Sequence, residues 1–170
     1  MGFLSSLGVR FLRLLYSVLI PSESSAVFVA RADGVTVGFI AGTRDTGEFY
    51  RDFLRRHFFS ASWTLLPWLL RPRTLLRIFE TVRHGVGDGR ADAELLSMAV
   101  APAARRRGLG REFIETLLSW ASATGVDSMK VVVGSTNIPA VALYEGSGFE
   151  DAQPKEVHRH ESSVELVWRA

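Results

Sequence analysis

Two strand patterns separated by one helix pattern constrain the fold of this chain more than any other feature of its sequence. Residues Ala93–Val100 form a strand-like run, and Arg111–Ala123 has the apolar stripe of a helix that lies on a sheet. The apolar positions of that stripe are Phe113, Ile114, Leu117, Leu118 and Ala121. The largely apolar run Met129–Val133 predicts a strand buried on both faces. Farther along, the pattern predicts a helix over about Ile138–Glu145 and a last strand over Val164–Trp168.

The N-terminal half predicts a helix, a hairpin and a second helical region. The segment Phe3–Ile20 has apolar residues at helical spacing and should end at the proline that follows it. Residues Ala26–Ala41 predict two strands that turn at Asp33-Gly34. Over about residues 43–90 the pattern is helical, and internal prolines should divide it into short helices. This order of elements fits an α/β sandwich built around a mixed sheet.

The composition bounds the class of protein. A chain of 170 residues that is 47% hydrophobic and 22% charged predicts one globular domain over residues 1–170, with a helical insertion rich in aromatic and arginine residues at about 43–90. The absence of cysteine excludes disulfides, thiolate nucleophiles and cysteine-based zinc sites, and we expect a cytoplasmic protein. A signal peptide is the alternative for the N-terminus, because positive charge precedes the run LLYSVLI and small residues follow it.

Basic residues are concentrated in the insertion. Between Phe49 and Arg83 there are seven arginines but only two acidic residues, although the formal net charge of the chain is only +2. This excess favours an anionic partner, such as a phosphate, an acidic substrate or a lipid headgroup. Because the same stretch is rich in aromatic residues, a membrane-surface or nucleic-acid binding module that uses residues 49–83 is the alternative to an enzyme. Burial of those aromatic residues in the core or in a dimer contact is the simpler interpretation.

Residues 93–110, AELLSMAVAPAARRRGLG, place a strand before an arginine- and glycine-rich turn that opens a helix. Gly108 and Gly110 lack a Cβ atom and let backbone N–H groups approach a ligand closely, and a helix N-terminus adds donors and a positive dipole end. This combination suits a pyrophosphate. The string lacks the third glycine of the dinucleotide fingerprint and the Lys-Ser/Thr pair of a P-loop, so neither class is supported. An ordinary helix start beside solvated arginines is the alternative that these residues leave open.

This turn and a second motif about thirty residues later together resemble the Gcn5-related N-acetyltransferase (GNAT) superfamily. The two motifs are Arg105-x-x-Gly108-x-Gly110 after a strand and Asn137-x-x-Ala140-x-x-Leu143-Tyr144-x-x-x-Gly148-Phe149. The resemblance covers roughly residues 91–168, and the hairpin upstream is similar to a strand pair of the family. It implies a mixed, mostly antiparallel sheet flanked by helices. The chain departs from the family in one respect, because Phe3–Ile20 resembles the second helix of the family and the usual first strand and helix should precede it. Either the start is truncated or the sheet lacks an edge strand. A sheet edge left open in this way would favour a homodimer or a less stable fold.

The resemblance implies a binding site for acetyl coenzyme A as co-substrate. In the family, backbone N–H groups of the turn matching Arg105–Gly110 bind the pyrophosphate, with the arginine side chains free to add contacts. The preceding strand is bulged in relatives, and amides near Met98 and Val100 would hold the pantetheine arm and polarise the thioester carbonyl. Asn137 matches a position that hydrogen-bonds the coenzyme. The coenzyme-binding residues expected on this basis are Met98, Ala99, Val100, Arg105, Arg106, Arg107, Gly108, Leu109, Gly110 and Asn137.

The resemblance also implies two catalytic residues. Tyr144 matches the general acid of the family, and a phenol of pKa about 10 can donate to a thiolate whose conjugate acid has a pKa near 8.5. Glu94 lies where some members place a glutamate base, acting here through water, whereas others place theirs on the next strand, where this chain has only valines at 131–133. A core tyrosine and a strand-edge carboxylate without a catalytic role are the alternatives for these two residues.

The expected reaction is acetyl transfer to a primary amine by direct attack in a ternary complex. The acceptor is a small molecule, for example an anionic metabolite or an amino sugar, or a peptide, and the positive charge of the insertion disfavours a polycation. No metal is expected, because His57, His84, His158 and His160 lack metal-binding spacing. No nucleic-acid partner is expected, and peripheral membrane contact is the less favoured use of the insertion. We expect the insertion to line or cover the acceptor side of the cleft.

Overall fold

The fold is described by a computed structural model of residues 9–49, 51, 91, 93–151 and 163–170. Its helices are α1 (Val9–Leu19), α2 (Leu109–Ala123) and α3 (Ile138–Glu145), and a 3₁₀ turn spans Pro102–Ala104. Its strands are β1 (Ser25–Ala32), β2 (Val35–Thr43), β3 (Ala93–Val100), β4 (Ser128–Gly134), β5 (Glu150–Asp151) and β6 (Ser163–Arg169). The bounds of β3 and α3 match the sequence-based prediction residue for residue.

The six strands form one sheet in the order β1-β2-β3-β4-β6-β5. All neighbouring strands are antiparallel except β3 and β4, which are parallel. The helix α2 connects this parallel pair, as such a crossover requires. The mixed, mostly antiparallel sheet that the motifs imply is therefore confirmed.

Helices cover both faces of the sheet. On one face α2 packs over β1, β2 and β3, and all five residues of its predicted apolar stripe are buried. Tyr144 and Phe149 belong to the same core. On the other face α1 buries Leu15, Val18 and Leu19, and this second cluster includes residues of β2 and β3. We refer to these two sides of the sheet as the α2 face and the α1 face.

Glycines in β2 let α2 lie close to the sheet. A Cβ atom at Gly38 would stand 2.8 Å from Phe113 Cε2 and 2.9 Å from the Ala99 carbonyl oxygen. At Gly42 it would meet two atoms of Leu117 at 3.0 and 3.1 Å. Any side chain at these positions would therefore push the helix away from the strand.

Turn signals in the sequence are confirmed by backbone angles. The hairpin between β1 and β2 turns at Asp33 and Gly34, whose φ angles are 51° and 77°. Positive φ at both central residues is the signature of the hairpin turn that matches strand twist. Gly125, predicted to end the long helix, follows α2 with a φ of 79°.

Two expectations are corrected. The run Met129–Val133 is buried on both faces only at its start. Pairing between β3 and β4 ends at Val131, and the next residue, Val132, is 50% exposed. The second helical region begins later than expected, because β2 continues to Thr43 and the helical turn at 46–49 starts after Asp45. There the Asp45 carboxylate accepts the Glu48 N–H at 2.6 Å, as an N-cap residue does. Most of the predicted insertion, residues 52–90, lies outside the described residues.

The described helices include none that is long and apolar enough to cross a lipid bilayer. Among the described strands β1 lies at one edge of the sheet, beyond β2. The expected homodimer, the cytoplasmic location and the single-domain organisation stay predictions.

Candidate active site

The two parallel strands β3 and β4 run side by side only at their beginnings. Their register joins three pairs of residues: Ala93 with Met129, Glu94 with Lys130, and Leu95 with Val131. Beyond these pairs β3 continues to Val100 and β4 to Gly134 without further bridges between them. The carboxyl ends of parallel strands point to the same edge of a sheet, where ligands of α/β proteins commonly bind. We call the space between the two diverging strands the strand gap.

A β-bulge at Leu96 determines which amides of β3 face the strand gap. The pairing of β3 with β2 skips Leu96, so the strand carries one extra residue there. Farther on, the Ala101 N–H donates to a β2 carbonyl at 2.8 Å. Because N–H groups alternate sides along a strand, the Ala99 N–H also faces β2, whereas those of Met98 and Val100 face the gap.

The Arg105 side chain lies at the open end of the strand gap. Its Nε donates a hydrogen bond to the Val100 carbonyl oxygen at 3.0 Å. The N–H and C=O groups of a strand residue point to the same side, so this bond independently places the Val100 backbone toward the gap. An exposed guanidinium is thereby fixed beside backbone N–H donors.

The turn between β3 and α2 is held in an unusual backbone conformation. Arg106 and Gly108 have φ angles of 62° and 86°, and Gly108 is the N-cap of α2 without a side-chain hydrogen bond. The first two intrahelical bonds of α2 both end on the Gly108 carbonyl oxygen, at 2.9 and 3.1 Å. The N–H groups of Leu109 and Gly110 precede this ladder and lie at the positive end of the helix dipole. An anion at this helix start would meet several donors and the surrounding arginines.

The N-terminus of α3 lies at the same edge of the sheet, because it follows β4 directly. Asn137 is its N-cap, is exposed and makes no side-chain cap hydrogen bond. The start of α2 lies against the C-terminal part of α3: a Cβ atom at Gly110 would stand 3.0 Å from Leu143 Cδ2. Arg111 Nη2 donates to the Gly146 carbonyl oxygen at 3.2 Å and joins the two helices again. Gly110 therefore lies in a tightly packed contact between α2 and α3, and the close approach of a ligand there stays a prediction.

Glu94 lies on the α1 face, at the last but one residue pair before the strands separate. Its side chain is 16% exposed and its Oε2 lies 4.0 Å from Lys130 Nζ. Burial raises the pKa of this carboxyl above its usual value, and the nearby Glu165 carboxylate raises it further. The Lys130 ammonium and a hydrogen bond from the Thr46 hydroxyl act in the opposite direction and lower the pKa.

Tyr144 lies on α3 with its ring in the main core. The residue is 6% exposed, and its ring stands edge-on to Phe149 with 5.6 Å between the ring centres. Burial raises the pKa of its phenol to about 12. The hydroxyl therefore keeps its proton throughout the neutral and mildly alkaline range.

Sequence reasoning missed two features of this region. Lys130 sits inside the apolar run of β4, and nothing in a one-dimensional pattern indicates that it lies opposite Glu94. Tyr16 of α1 hydrogen-bonds Ser97 at 2.5 Å between the hydroxyl oxygens and packs its ring against Phe39, with 5.7 Å between the ring centres. Tyr16 matches no motif, so only the structure reveals that α1 is joined to β3 just after the bulge.

Potential metal ligands do not gather in the described part of the chain. There, no group of three or more histidine or acidic side chains could hold a metal ion. All four histidines lie outside the described residues. The expectation of a metal-free site stays a prediction.

Known protein families and curated proteins include relatives of this chain. A sequence model described as "Acetyltransferase (GNAT) family" matches residues 4–149, which is most of the chain. Among curated proteins, [Ribosomal protein bS18]-alanine N-acetyltransferase of Salmonella typhimurium is 41% identical over 61 residues. That match covers 36% of this chain and 41% of the relative, so it spans only about two fifths of the length of that protein.

Solved structures share the fold at low sequence identity. The ribosomal-protein-S18-alanine N-acetyltransferase of Escherichia coli is similar with a TM-score of 0.55 and 19% identity, over 92% of this chain and 75% of that one. The PaiA N-acetyltransferase of Thermoplasma acidophilum, solved in complex with coenzyme A, gives a TM-score of 0.53 and 13% identity, over 86% of this chain and 62% of that one. At such identities the likeness shows a common fold.

Proposed function

The chain belongs to the acetyltransferase (GNAT) family, and on that premise we propose that it transfers an acetyl group from acetyl coenzyme A to a primary amine. The observation that carries this proposal is the strand gap, where β3 and β4 separate after three residue pairs and the start of α2 stands at the open end. The gap offers unpaired strand amides to an extended, amide-containing ligand, and the turn offers N–H donors and arginines to its phosphates.

The coenzyme would lie along β3 and across the start of α2. The Met98 and Val100 amides are directed to the side where a pantetheine arm could pair as a strand does. The pyrophosphate would meet the N–H groups of Gly108–Gly110, with Arg105, Arg106 and Arg107 exposed beside them. Asn137, at the start of α3, would contribute a side-chain hydrogen bond. The Ala99 amide faces β2, so its part in coenzyme binding would be by contact alone.

Glu94 would act as the general base. An alkylammonium has a pKa near 10 and must lose a proton before its nitrogen can attack a carbonyl carbon. The raised pKa of Glu94 makes it a stronger base than an exposed carboxylate. Its position on the α1 face, where the two strands begin to diverge, lets a water molecule relay the proton from the amine.

Tyr144 would assist the leaving group. After nitrogen attack the carbon–sulfur bond breaks, an amide forms, and the coenzyme leaves as a thiolate that then takes a proton. A phenol of pKa about 12 remains protonated, so it can donate a hydrogen bond to that sulfur. A thiol has a pKa of about 8.5 and is the stronger acid, so the phenol would stabilise the thiolate by hydrogen bonding more than by complete proton transfer.

The acceptor class is supported only by relatives. The name of the bS18 N-acetyltransferase says that it acts on an alanine of a ribosomal protein. For this chain we propose a peptide or small-molecule primary amine. The binding-module alternative depends on residues 49–83, nearly all of which lie outside the described residues.

The first test combines binding and turnover. Acetyl coenzyme A should raise the thermal unfolding midpoint of the protein, which a lipid- or nucleic-acid binding module would not show. With this donor, a panel of N-terminally free peptides, amino sugars and acidic amines should identify an acceptor, and N-blocked peptides are the control.

We expect Tyr144→Phe to lower kcat by about 10²-fold with little change in the coenzyme Kd. Unchanged kcat in this variant would remove Tyr144 from the mechanism, and absence of both stabilisation and transfer would refute the proposed function.

A further inference from the structure

Lys130 is a buried cation in the middle of the sheet. It is 8% exposed, and its neighbours along β4, Met129 and Val131, are buried and apolar. Removing an ammonium from water is costly unless the charge is paired. Its partner is Glu94 on the neighbouring strand, directly opposite in the parallel register, with 4.0 Å between Nζ and Oε2.

Such a pair contributes little to folding by itself. Replacing a buried ion pair with well-packed apolar residues of similar size is often neutral or stabilising, because the desolvation penalty offsets the attraction. The pair therefore calls for a reason other than stability. Its location supplies one, since it lies at the second of three residue pairs that precede the strand gap.

Groups from three further elements surround Glu94. The Thr46 hydroxyl of the helical turn at 46–49 donates a hydrogen bond to the carboxylate. Glu165 of β6 lies directly opposite Val132 of β4, two residues beyond Lys130 and on the same face, and it acts on Glu94 as a like charge. The neighbouring β2 residue is Thr43, whose hydroxyl donates to the Ser24 carbonyl oxygen at 3.0 Å.

These groups set the charge of Glu94 by opposing effects. Burial and the Glu165 carboxylate both favour the protonated acid. Lys130 and the Thr46 hydroxyl favour the carboxylate. Of the two groups that favour the carboxylate, Lys130 has the larger effect. Without Lys130, the groups that act on Glu94 in the described part of the chain would be a second acidic residue and the Thr46 hydroxyl, and burial would favour the protonated acid.

We propose that Lys130 is a positioning residue that holds Glu94 as a fixed carboxylate where β3 and β4 begin to diverge, ready to receive a proton from the acceptor amine. This inference rests on the proposed function, because it assigns Glu94 the role of base. Lys130 does not touch the reacting atoms and acts through Glu94 alone. Glu165 has the opposite effect to Lys130: it raises the pKa of Glu94 and so keeps the carboxylate basic.

The test uses variants with opposite expected signs. Lys130→Met removes the charge but keeps the length of the side chain, so the Glu94 pKa should rise by about one unit or more. The acid limb of the kcat/KM profile should move to higher pH by the same amount, with activity recovering at alkaline pH. Glu165→Gln removes the like charge and should move the limb to lower pH. Lys130→Arg keeps the charge and should rescue the wild-type profile.

A measurement without acceptor separates this inference from the proposed function. Side-chain carboxyl ¹³C NMR of the free protein reports the titration of Glu94 directly, and the signal is assigned by its loss in Glu94→Gln. A Glu94 pKa that does not change in Lys130→Met would overturn the inference even if the enzyme is active. If no acceptor is found, the proposed function fails while the NMR shift still supports the electrostatic coupling.

Two further outcomes are decisive. A Glu94 pKa that rises while the pH–rate profile stays fixed would overturn the inference, because Glu94 would then not be the base. Should Lys130→Met fail to fold, Lys130→Gln also removes the charge but keeps a polar side chain. It should raise the Glu94 pKa as well, and an unchanged value there would overturn the inference.

Discussion

Gly108 and Gly110 stand two residues apart in one turn and are glycine for different reasons. Gly108 has a φ of 86°, a region that side-chain-bearing residues rarely adopt, and an added Cβ atom would meet only Glu112 Oε1 at 3.9 Å. Gly110 has ordinary helical geometry, but its space is taken by Leu143. Substitution of Gly108 therefore tests whether the turn binds the coenzyme, whereas substitution of Gly110 tests the packing of α2 against α3.

A charge at residue 108 should weaken coenzyme binding selectively. Asparagine and aspartate are the residues that tolerate positive φ best, so Gly108→Asn and Gly108→Asp should both fold. The carboxylate of Gly108→Asp would face the pyrophosphate as a like charge, and the Kd for acetyl coenzyme A should rise tenfold or more. Gly108→Asn is the uncharged control. Equal affinities by isothermal titration calorimetry would place the pyrophosphate elsewhere.

At the scale of elements, close approach of α2 to β2 depends on Gly38. Gly38→Ala would place a Cβ atom 2.9 Å from the Ala99 carbonyl oxygen and 2.8 Å from the Phe113 ring. Neither group can move far inside a packed core, so the variant should lose about 1–3 kcal/mol of unfolding free energy. Gly134→Ala is the control, because no atom of the described residues lies within 4 Å of its added Cβ. The stability of this variant should change by less than about 0.5 kcal/mol. Coinciding urea midpoints for the two variants would contradict this packing.

Local elements could be predicted from the sequence, but their relations in space could not. The stripe of α2 and the strand-like run of β3 are local patterns, and the structure has both elements. Where two parallel strands stop pairing leaves no local trace, so the exposure of Val132 was missed. The register between strands cannot be predicted from local sequence either. Glu94 could be identified through a family resemblance, but its pairing with Lys130 could not. The candidate site was thus predicted as a set of residues, and the structure adds which way they face.

For the whole molecule, the prediction that reaches beyond the described residues concerns the insertion at about 43–90. On the proposed function the arginine turn and Asn137 would hold the coenzyme, so we expect an insertion that precedes β3 to reach the opposite, acceptor side. Exchanging Arg71 and Arg73 for glutamate should raise the acceptor KM and leave the coenzyme Kd nearly unchanged, because negative charge would then face an anionic acceptor and repel it.

The matched control for this pair is Arg31→Glu with Arg169→Glu. These two exposed arginines lie on β1 and at the end of β6, and their exchange alters net charge equally. Acceptor kinetics should stay at the wild-type level in the control. If the Arg71 and Arg73 variant binds acceptor normally but loses self-association or liposome binding, the insertion is an interface and the acceptor lies elsewhere.

The bond from Arg105 to the Val100 carbonyl also bears on pairing between this sheet and a foreign strand. An ordinary sheet has two exposed edges that can recruit other chains into aggregates, but the strand gap gives this sheet two more, in its interior. Arg105 occupies the last carbonyl on the inner edge of β3, so an invading strand would find that acceptor taken and three arginines beside it. The turn that suits a phosphate therefore also places positive charge where a foreign strand would have to pair, and such charge opposes pairing.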